Sequence, residues 1–221
     1  MTRPYDVITF DCYGTLIDWE GGIGDWWVET AAAEGRPVER ERALRLYAEI
    51  EPAVETGPYR PYRDVLAQTA GEVATCLGWP MTGERAATLA DSLPRWKPFA
   101  DTNPALERLA AAGYRLGILS NVDDDLLAAT QRQFPVRFDL LVTAEQVGSY
   151  KPAHGHFLAA KQRLGRARWL HAAQSAFHDI APASALRIPA AWINRKGEES
   201  SEAPEVVLPT LSGLADWLGC P

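Results

Sequence analysis

The sequence predicts an α/β fold, a parallel sheet flanked by helices and interrupted after its first strand by an all-helical insert. Three observations predict it. The chain opens on an apolar run that ends in an acid, Asp6-Val-Ile-Thr-Phe-Asp11. From about Pro98 onward, strand-like and helix-like segments alternate. Between Asp18 and Lys97 the apolar residues recur at helical spacing, and no segment reads as a convincing strand.

The first strand is read from Val7, Ile8 and Phe10, β-formers that leave no polar face for water, as expected of a strand buried inside a parallel sheet. Asp11 ends it and Gly14 follows in a tight loop, which is where open α/β sheets place their chemistry. In the insert, Ala43, Leu44, Leu46 and Tyr47 form one apolar stripe. Val65, Leu66, Thr69, Ala70, Val73 and Leu77 form another. Pro52, Gly57-Pro58, Pro61, Gly78-Trp-Pro80 and Pro94 punctuate the insert into some four helices. Beyond Pro98, strands are expected at 114–119, 138–142, 169–173, 190–193 and 205–208. Helices are expected at 103–112, 124–133 and 153–164, with a short one at 182–186. This alternation implies parallel strands with helices on both faces. The chain then divides into a core, 1–17 and 98–221, and a helical cap, 18–97.

Composition narrows the function. Hydrophobic residues are 47% of the chain, enough for a sizeable core. Lys and Arg number 22 against 29 Asp and Glu, a net charge of −7 with no basic block, which argues against a nucleic-acid surface. It leaves room for a small anionic substrate, because a local basic pocket suffices. Cys12, Cys76 and Cys220 show no metal-binding spacing, so a reduced, cytoplasmic protein is expected. The first strand begins within a few residues of Met1, so no signal peptide is expected, and no apolar run approaches membrane-spanning length.

Four short segments carry the candidate chemistry: Asp11-Cys-Tyr-Gly-Thr15, Ser120-Asn121 at the end of the second core strand, Lys151-Pro152, and Ala173-Gln-Ser-Ala-Phe-His-Asp179. Together they resemble the haloacid dehalogenase superfamily over nearly the whole chain, and within it the L-2-haloacid dehalogenase (type II) branch. The resemblance implies a Rossmann-like core with an inserted cap, and it makes Asp11 a nucleophile. Superfamily phosphatases carry a second Asp two residues later, which protonates the leaving alkoxide; here that position is Tyr13. A phosphate ester needs that proton, whereas a chloride or bromide ion leaves without one. The implied reaction is hydrolysis of short 2-haloacids through an aspartyl ester, giving a 2-hydroxyacid and halide with no cofactor. The small haloacid is the only partner implied, and a homodimer is left open.

The remaining roles follow from the same resemblance. Lys151 pairs with the nucleophile. At ~4 Å and an effective dielectric of ~20 that attraction is about 4 kcal/mol before desolvation, enough to keep Asp11 ionised without a metal. Pro152 suits the first turn of the helix that follows. Asp179 is the candidate base for the hydrolytic water, with a helix N-cap as its alternative role. Gln174 replaces an acid that helps superfamily phosphatases hold Mg²⁺, a cation that wants several hard, preferably anionic oxygens. Gln174 and Ala176 also depart from the Ser and Asn usual in the dehalogenase branch, which leaves the holding of the water open. His178 lines the site or serves the structure, and Phe157 shapes the pocket.

Substrate contacts are expected from Ser120, Asn121, Tyr13, Thr15, from Cys12 through its backbone and small size, and from Arg60 in the cap. Arg63, Trp19, Trp26, Trp27 and Tyr62 are weaker candidates. The branch usually shows an Arg early in the cap, and Arg40, Arg42 and Arg45 do not align with it cleanly. Two other functions stay open: a Mg²⁺-dependent phosphatase that keeps Asp11, Ser120, Lys151 and Asp179, and a binding protein that kept the fold without an activity.

Overall fold

A computed structural model describes residues 3–221. The first strand, β1 (Val7–Phe10), is buried along its whole length. It lies at the centre of the sheet because it pairs in parallel on both sides. On one side is β2 (Arg115–Ser120), with Val7 opposite Arg115; on the other is β4 (Trp169–Ala173), with Val7 opposite Trp169. With β3 (Leu140–Thr143), β5 (Ala190–Ile193) and β6 (Val206–Leu208), the order is β3-β2-β1-β4-β5-β6, all parallel. The chain therefore winds outward in one direction from β1 and then in the other from β4. Such a reversal opens a crevice at the carboxyl ends of the two central strands. Gly117 is needed for this packing, since a Cβ there would lie 3.0 Å from Leu140 and 3.1 Å from the Thr9 methyl.

The insert forms α1 (Trp19–Ala33), α2 (Arg40–Val54), α3 (Tyr62–Cys76) and α4 (Gly83–Ser92), closed by a 3₁₀ turn at Leu93–Arg95. Asp18 caps α1, its carboxylate accepting from the Gly21 amide at 2.9 Å. Exit and return run side by side: Asp18 N donates to Lys97 O, and Ile17 bridges Pro98. Gly22 lets α1 press on Trp96, where a Cβ would overlap the indole. One buried residue of the core also fixes the cap. Asp123 accepts from the Tyr62 and Arg63 amides at 2.7 and 3.1 Å, so its carboxylate caps the start of α3 from across the cleft.

The core helices are α5 (Thr102–Ala111), α6 (Asp124–Gln131), α7 (Ala144–Val147), α8 (Gly155–Leu164), α9 (Ala181–Ala185) and α10 (Leu211–Trp217), with a π-helical turn at Ala176–Ile180 before α9. Two features differ from the sequence expectations. Pro152 is not in a helical first turn: the Lys151–Pro152 bond is cis, residues 151–154 form a turn, and α8 begins at Gly155. The closing helix α10 was not expected, because seven residues containing Gly213 give a weak helical signal. Its Thr210 cap and its buried Leu211 and Leu214 are the signals that mark it. No helix among the described residues is long and apolar enough to cross a membrane.

Candidate active site

Asp11 follows β1 directly, and its backbone amide still donates to Ala172 O of β4 at 3.1 Å. The loop then turns sharply at Gly14 (φ 99°), a backbone region that favours glycine. A Cβ there would lie 3.3 Å from the Gln174 amide oxygen. The turn swings Thr15 back onto Asp11, where its hydroxyl donates to Asp11 Oδ2 at 2.9 Å and accepts from the Gln174 amide at 2.8 Å. Arg195, paired with Asp101 at 3.0 Å, holds the Thr15 carbonyl at 2.9 Å.

Lys151 is the centre of the arrangement. Its ammonium is almost wholly buried and donates to Asp11 Oδ1 at 2.9 Å, Asp179 Oδ1 at 2.6 Å and Leu119 O at 3.0 Å. Asn121 fixes the loop that carries it. Lys151 N donates to Asn121 Oδ1 at 2.7 Å, and Asn121 Nδ2 donates to Lys151 O at 3.1 Å. Asp179 is further held by His171 on β4, whose Nε2 lies 3.0 Å from Asp179 Oδ1 and whose Nδ1 lies 2.8 Å from Thr9 Oγ1. Phe157 packs edge-on against that imidazole, with ring centroids 5.1 Å apart, so it supports His171 in the core and does not line the cleft.

One ammonium between two buried carboxylates leaves them unequal. Burial would lower the Lys151 pKa, but both carboxylates outweigh it and keep the ammonium charged. Burial would raise Asp179 as well, but Lys151 and His171 overcome it and hold that carboxyl well below the usual range. Asp11 moves the other way: burial and the Asp179 charge raise it against the pull of Lys151 and Thr15. Asp179 is thus a fixed anion and Asp11 the more basic of the two. A separation of this kind assigns different roles to neighbouring carboxylates. It also makes Asp179 a poor base for water, contrary to expectation. The N-cap alternative fails too, because Ser175 caps the π-helical turn and Asp179 lies inside it.

A cavity of about 380 Å³ opens in front of Asp11, between core and cap. Ser120, Asn121, Lys151 and Asp179 line it from the core, together with Tyr13, Gln174, Ser175 and His178. Ser120 Oγ is buried and has no hydrogen-bond partner among the described residues, an arrangement that suits a ligand oxygen. The Tyr13 ring stacks edge-on against Trp96 at 5.7 Å, and its hydroxyl lies 2.9 Å from Thr130 Oγ1, so it forms a wall. His178 Nδ1 lies 3.1 Å from Ser175 Oγ, and burial pushes its pKa down, which favours a neutral imidazole in the cavity lining.

The expected cap contacts need correction. Arg60 does not reach the cavity; its guanidinium donates to Gln68 Oε1 at 2.6 Å and Val54 O at 2.8 Å. Arg63 faces Asp125 and Asp123 at the cap–core seam. Arg40 donates to the Gly21 carbonyl at 3.1 Å, lying over Gly24 of α1, and Arg45 pairs with Glu39. Trp26 and Trp27 are buried inside the cap, while Trp19 and Tyr62 do line the cavity. Cys12 is buried in the core and absent from the lining; its carbonyl anchors the loop by accepting from Leu16 N and Ile17 N. Thr15 is also buried behind Asp11, so it orients that carboxylate and is absent from the cavity lining.

What the cap does present is acidic. Glu51 and Glu55 line the cavity from α2 and its last turn, and no arginine lines it among the described residues. Glu51 Oε1 accepts from the Tyr47 and Tyr62 hydroxyls at 2.7 and 2.8 Å. Burial and the neighbouring Glu51 push the Glu55 carboxyl up to about 9, against the pull of Lys151. Neither glutamate was singled out in the sequence, where they read as the polar side of an amphipathic helix.

The residues present do not suit Mg²⁺. Asp11 and Asp179 are bridged by the Lys151 ammonium, and position 174 offers a neutral amide.

Comparison with known proteins agrees with this geometry. The family described as haloacid dehalogenase-like hydrolase matches residues 5–177. An (S)-2-haloacid dehalogenase of Pseudomonas putida is 29% identical, covering 96% of this chain and 95% of that protein. One from Pseudomonas sp. (strain YL) is 30% identical, covering 95% and 92%. In fold, the chain superposes with a TM-score of 0.84 on L-2-haloacid dehalogenase from Xanthobacter autotrophicus with chloropropionic acid covalently bound, at 20% identity and with 97% and 98% coverage. A strand-end aspartate tied to a buried lysine, beneath a helical cap inserted after the first strand, and a match spanning most of the sequence lead to one conclusion: the chain belongs to the haloacid dehalogenase-like hydrolases.

Proposed function

We propose that the protein hydrolyses the carbon–halogen bond of a 2-haloacid through an ester on Asp11. The observation that carries this reading is the Asp11 carboxylate itself, fixed at the end of β1 by Lys151 and Thr15 and fronted by a cavity. The names of the curated relatives support the substrate class. The covalently bound chloropropionic acid of the Xanthobacter autotrophicus enzyme supports the ester.

In the first step a carboxylate oxygen of Asp11, using a lone pair not engaged by Lys151 or Thr15, attacks C2 from the side opposite the halogen. The C–X electrons leave with the halide, and an ester joins C2 to Asp11. Ser120 Oγ, buried and unpartnered, donates to the substrate carboxylate. In the second step water attacks the Asp11 carbonyl carbon. His178, neutral and oriented by Ser175, takes the proton. The ester C–O bond on the aspartyl side breaks, His178 returns the proton to the departing alkoxide, and the 2-hydroxyacid leaves with the oxygen that Asp11 supplied. Asp179 is a positioning residue in this scheme, holding Lys151 and remaining an anion throughout.

The test is halide release from 2-chloropropionate in the presence of EDTA, joined to a single turnover in heavy-oxygen water. The expected 2-hydroxyacid is unlabelled and the label appears in Asp11. Label in the product of the first turnover means direct attack by water and ends the ester mechanism. His178→Gln is expected to slow ester breakdown more than ester formation, so the acyl-enzyme accumulates. Hydrolysis of an alkyl phosphate with added Mg²⁺ is expected to be negligible, because Tyr13 leaves no acid for the alkoxide.

A further inference from the structure

We propose that the substrate of this site carries a cationic nitrogen group at the end remote from C2, and that Glu51 and Glu55 of the cap receive it. This rests on the displacement reading above and names its substrate class more closely.

The argument begins with charge. Five carboxylates line the cavity, Asp11, Glu51, Glu55, Asp179 and Glu198, against two ammonium groups, Lys151 and Lys196. Both ammoniums are engaged, Lys151 by Asp11 and Asp179, and Lys196 by Glu20 at 2.5 Å. A simple short haloacid, wholly anionic, would bring no cation to the two glutamates of the cap wall. A substrate with a compensating cation would.

The two glutamates differ in a way that fits a ligand. Glu51 is fixed by two phenol donors, although burial outweighs them and raises its pKa. Glu55 stands one helical turn on, and among the described residues no hydrogen bond or ion pair reaches its carboxyl. The groups facing it are Glu51 on its own element, Tyr150 and Lys151 on the loop before α8, and His178 on the π-helical turn. Of these only Lys151 is a cation, and it is already committed. A carboxylate half out of water beside another must take up a proton or find a cation. With the site empty the pair retains a proton; a bound ammonium replaces it.

Two further observations place a ligand here and set its length. Ser120 Oγ, fully buried and unpartnered, lines the same cavity from the core and suits the carboxylate end. Glu55 also lines a second, adjoining cavity of about 640 Å³ beside Tyr59 and Tyr150. A chain running from Ser120 past Asp11 toward Glu55 therefore has room beyond three carbons, and the phenol faces beside it suit a cationic nitrogen.

The test uses inert acids first, so that it does not depend on turnover. Calorimetry compares 5-aminopentanoate with hexanoate, which differ by an ammonium in place of a methyl group. In the wild-type protein the ammonium acid is expected to bind at least ~10-fold more tightly. Titrations near pH 7 in buffers of different ionisation heat are expected to show release of up to one proton. Glu55→Gln is expected to bring the affinity ratio close to one and to abolish the proton release. Equal or tighter binding of hexanoate by the wild-type protein overturns the proposal, and that comparison needs no variant to fold. Halide release is then measured from 2-chloro-5-(trimethylammonio)pentanoate and its tert-butyl isostere. Binding preference without halide release from either compound, or from 2-chloropropionate, sinks the displacement reading and leaves the cation site standing. Halide release with no preference does the reverse.

Discussion

The core wall of the cleft holds an ammonium between two carboxylates, whereas the cap wall holds two carboxylates with no ammonium between them. The core groups come from strand ends and the loops beside them, fixed by the sheet and by hydrogen bonds from both sides. The cap groups come from one helix, and one of them has no protein partner. Chemistry that must be repeated on every turnover is built into the rigid wall. Selection among substrates is left to the wall that changes most easily, since a residue on a solvent-facing helix can be exchanged without disturbing a sheet. The family resemblance was read from residues of the first wall, whereas Glu51 and Glu55 of the second were not singled out in the sequence.

The sharpest way to break that contrast is to remove the nucleophile. Asp11→Asn keeps the size of the side chain but cannot form the ester, and halide release is expected to fall by about 10⁴-fold or more. Substrate binding, measured by calorimetry, is expected to persist. A glutamine at Glu51 or Glu55 should instead act mainly on KM and on which substrate is preferred. A variant with Asn at position 11 that keeps a tenth of the activity would remove the division of labour between the walls.

Lys151 ranks next because stability and turnover both depend on it. Lys151→Met fills similar volume but leaves Asp11 and Asp179 buried without a cation. Breaking a buried pair in this way costs about 3–5 kcal/mol. Denaturant unfolding at pH 7 is the measurement. The loss is expected to shrink in acid, where the stranded carboxylates can be neutralised by protonation. The equivalent cap change, Glu55→Gln, replaces a carboxyl whose pKa burial and Glu51 push up to about 9 with a neutral amide and is expected to leave the protein no less stable.

The pH profile distinguishes the two carboxylates of the core wall. In the proposed mechanism Asp11 attacks only when ionised, and its pKa is raised by burial and by Asp179. Activity is therefore present above that raised pKa and lost as pH falls through it. The acid limb of kcat/KM is expected above the ordinary aspartate value of about 3.9. Asp179, held low by Lys151 and His171, stays ionised through this range and adds no limb of its own. In Asp179→Asn the repulsive contribution to Asp11 disappears, so the limb should move to lower pH. A move to higher pH would show that Asp179 acts on Asp11 chiefly through Lys151.

How much of this was legible in the sequence follows the same division. Asp11, Ser120 and Lys151 could be found because each sits in a short segment that resembles a superfamily motif and whose neighbours also announce a strand end or a turn. The central strands could be found because burial on both faces leaves unbroken apolar runs. His171 was missed because it lies inside such a run, Trp169-Leu-His-Ala-Ala173, where a polar residue looks like an interruption; its roles toward Asp179 and Thr9 exist only after β4 pairs with β1. Asp123 was missed because it caps a helix that begins 61 residues earlier. Glu51 and Glu55 were missed because helical periodicity reports which face is polar and not whether that face meets solvent or a cleft. Arg60 was misplaced for the same reason, its positive charge suggesting a halide contact that the fold does not make.

Arg60 gives the smallest effect and the cleanest check on the cap wall. Its guanidinium ties Gln68 of α3 to the Val54 carbonyl at the end of α2. It therefore braces the helix ends beside Glu55 without touching the cavity. Arg60→Ala is expected to cost about 1 kcal/mol or less in unfolding free energy, the usual net value of such hydrogen bonds. Its effect on kcat/KM for a 2-haloacid should stay within about threefold, or ~0.7 kcal/mol by the ordinary conversion. A loss of a hundredfold with unchanged stability would mean that Arg60 swings inward when substrate binds. The cap wall would then present a cation to the halide, and the acidic reading of that wall would have to be given up.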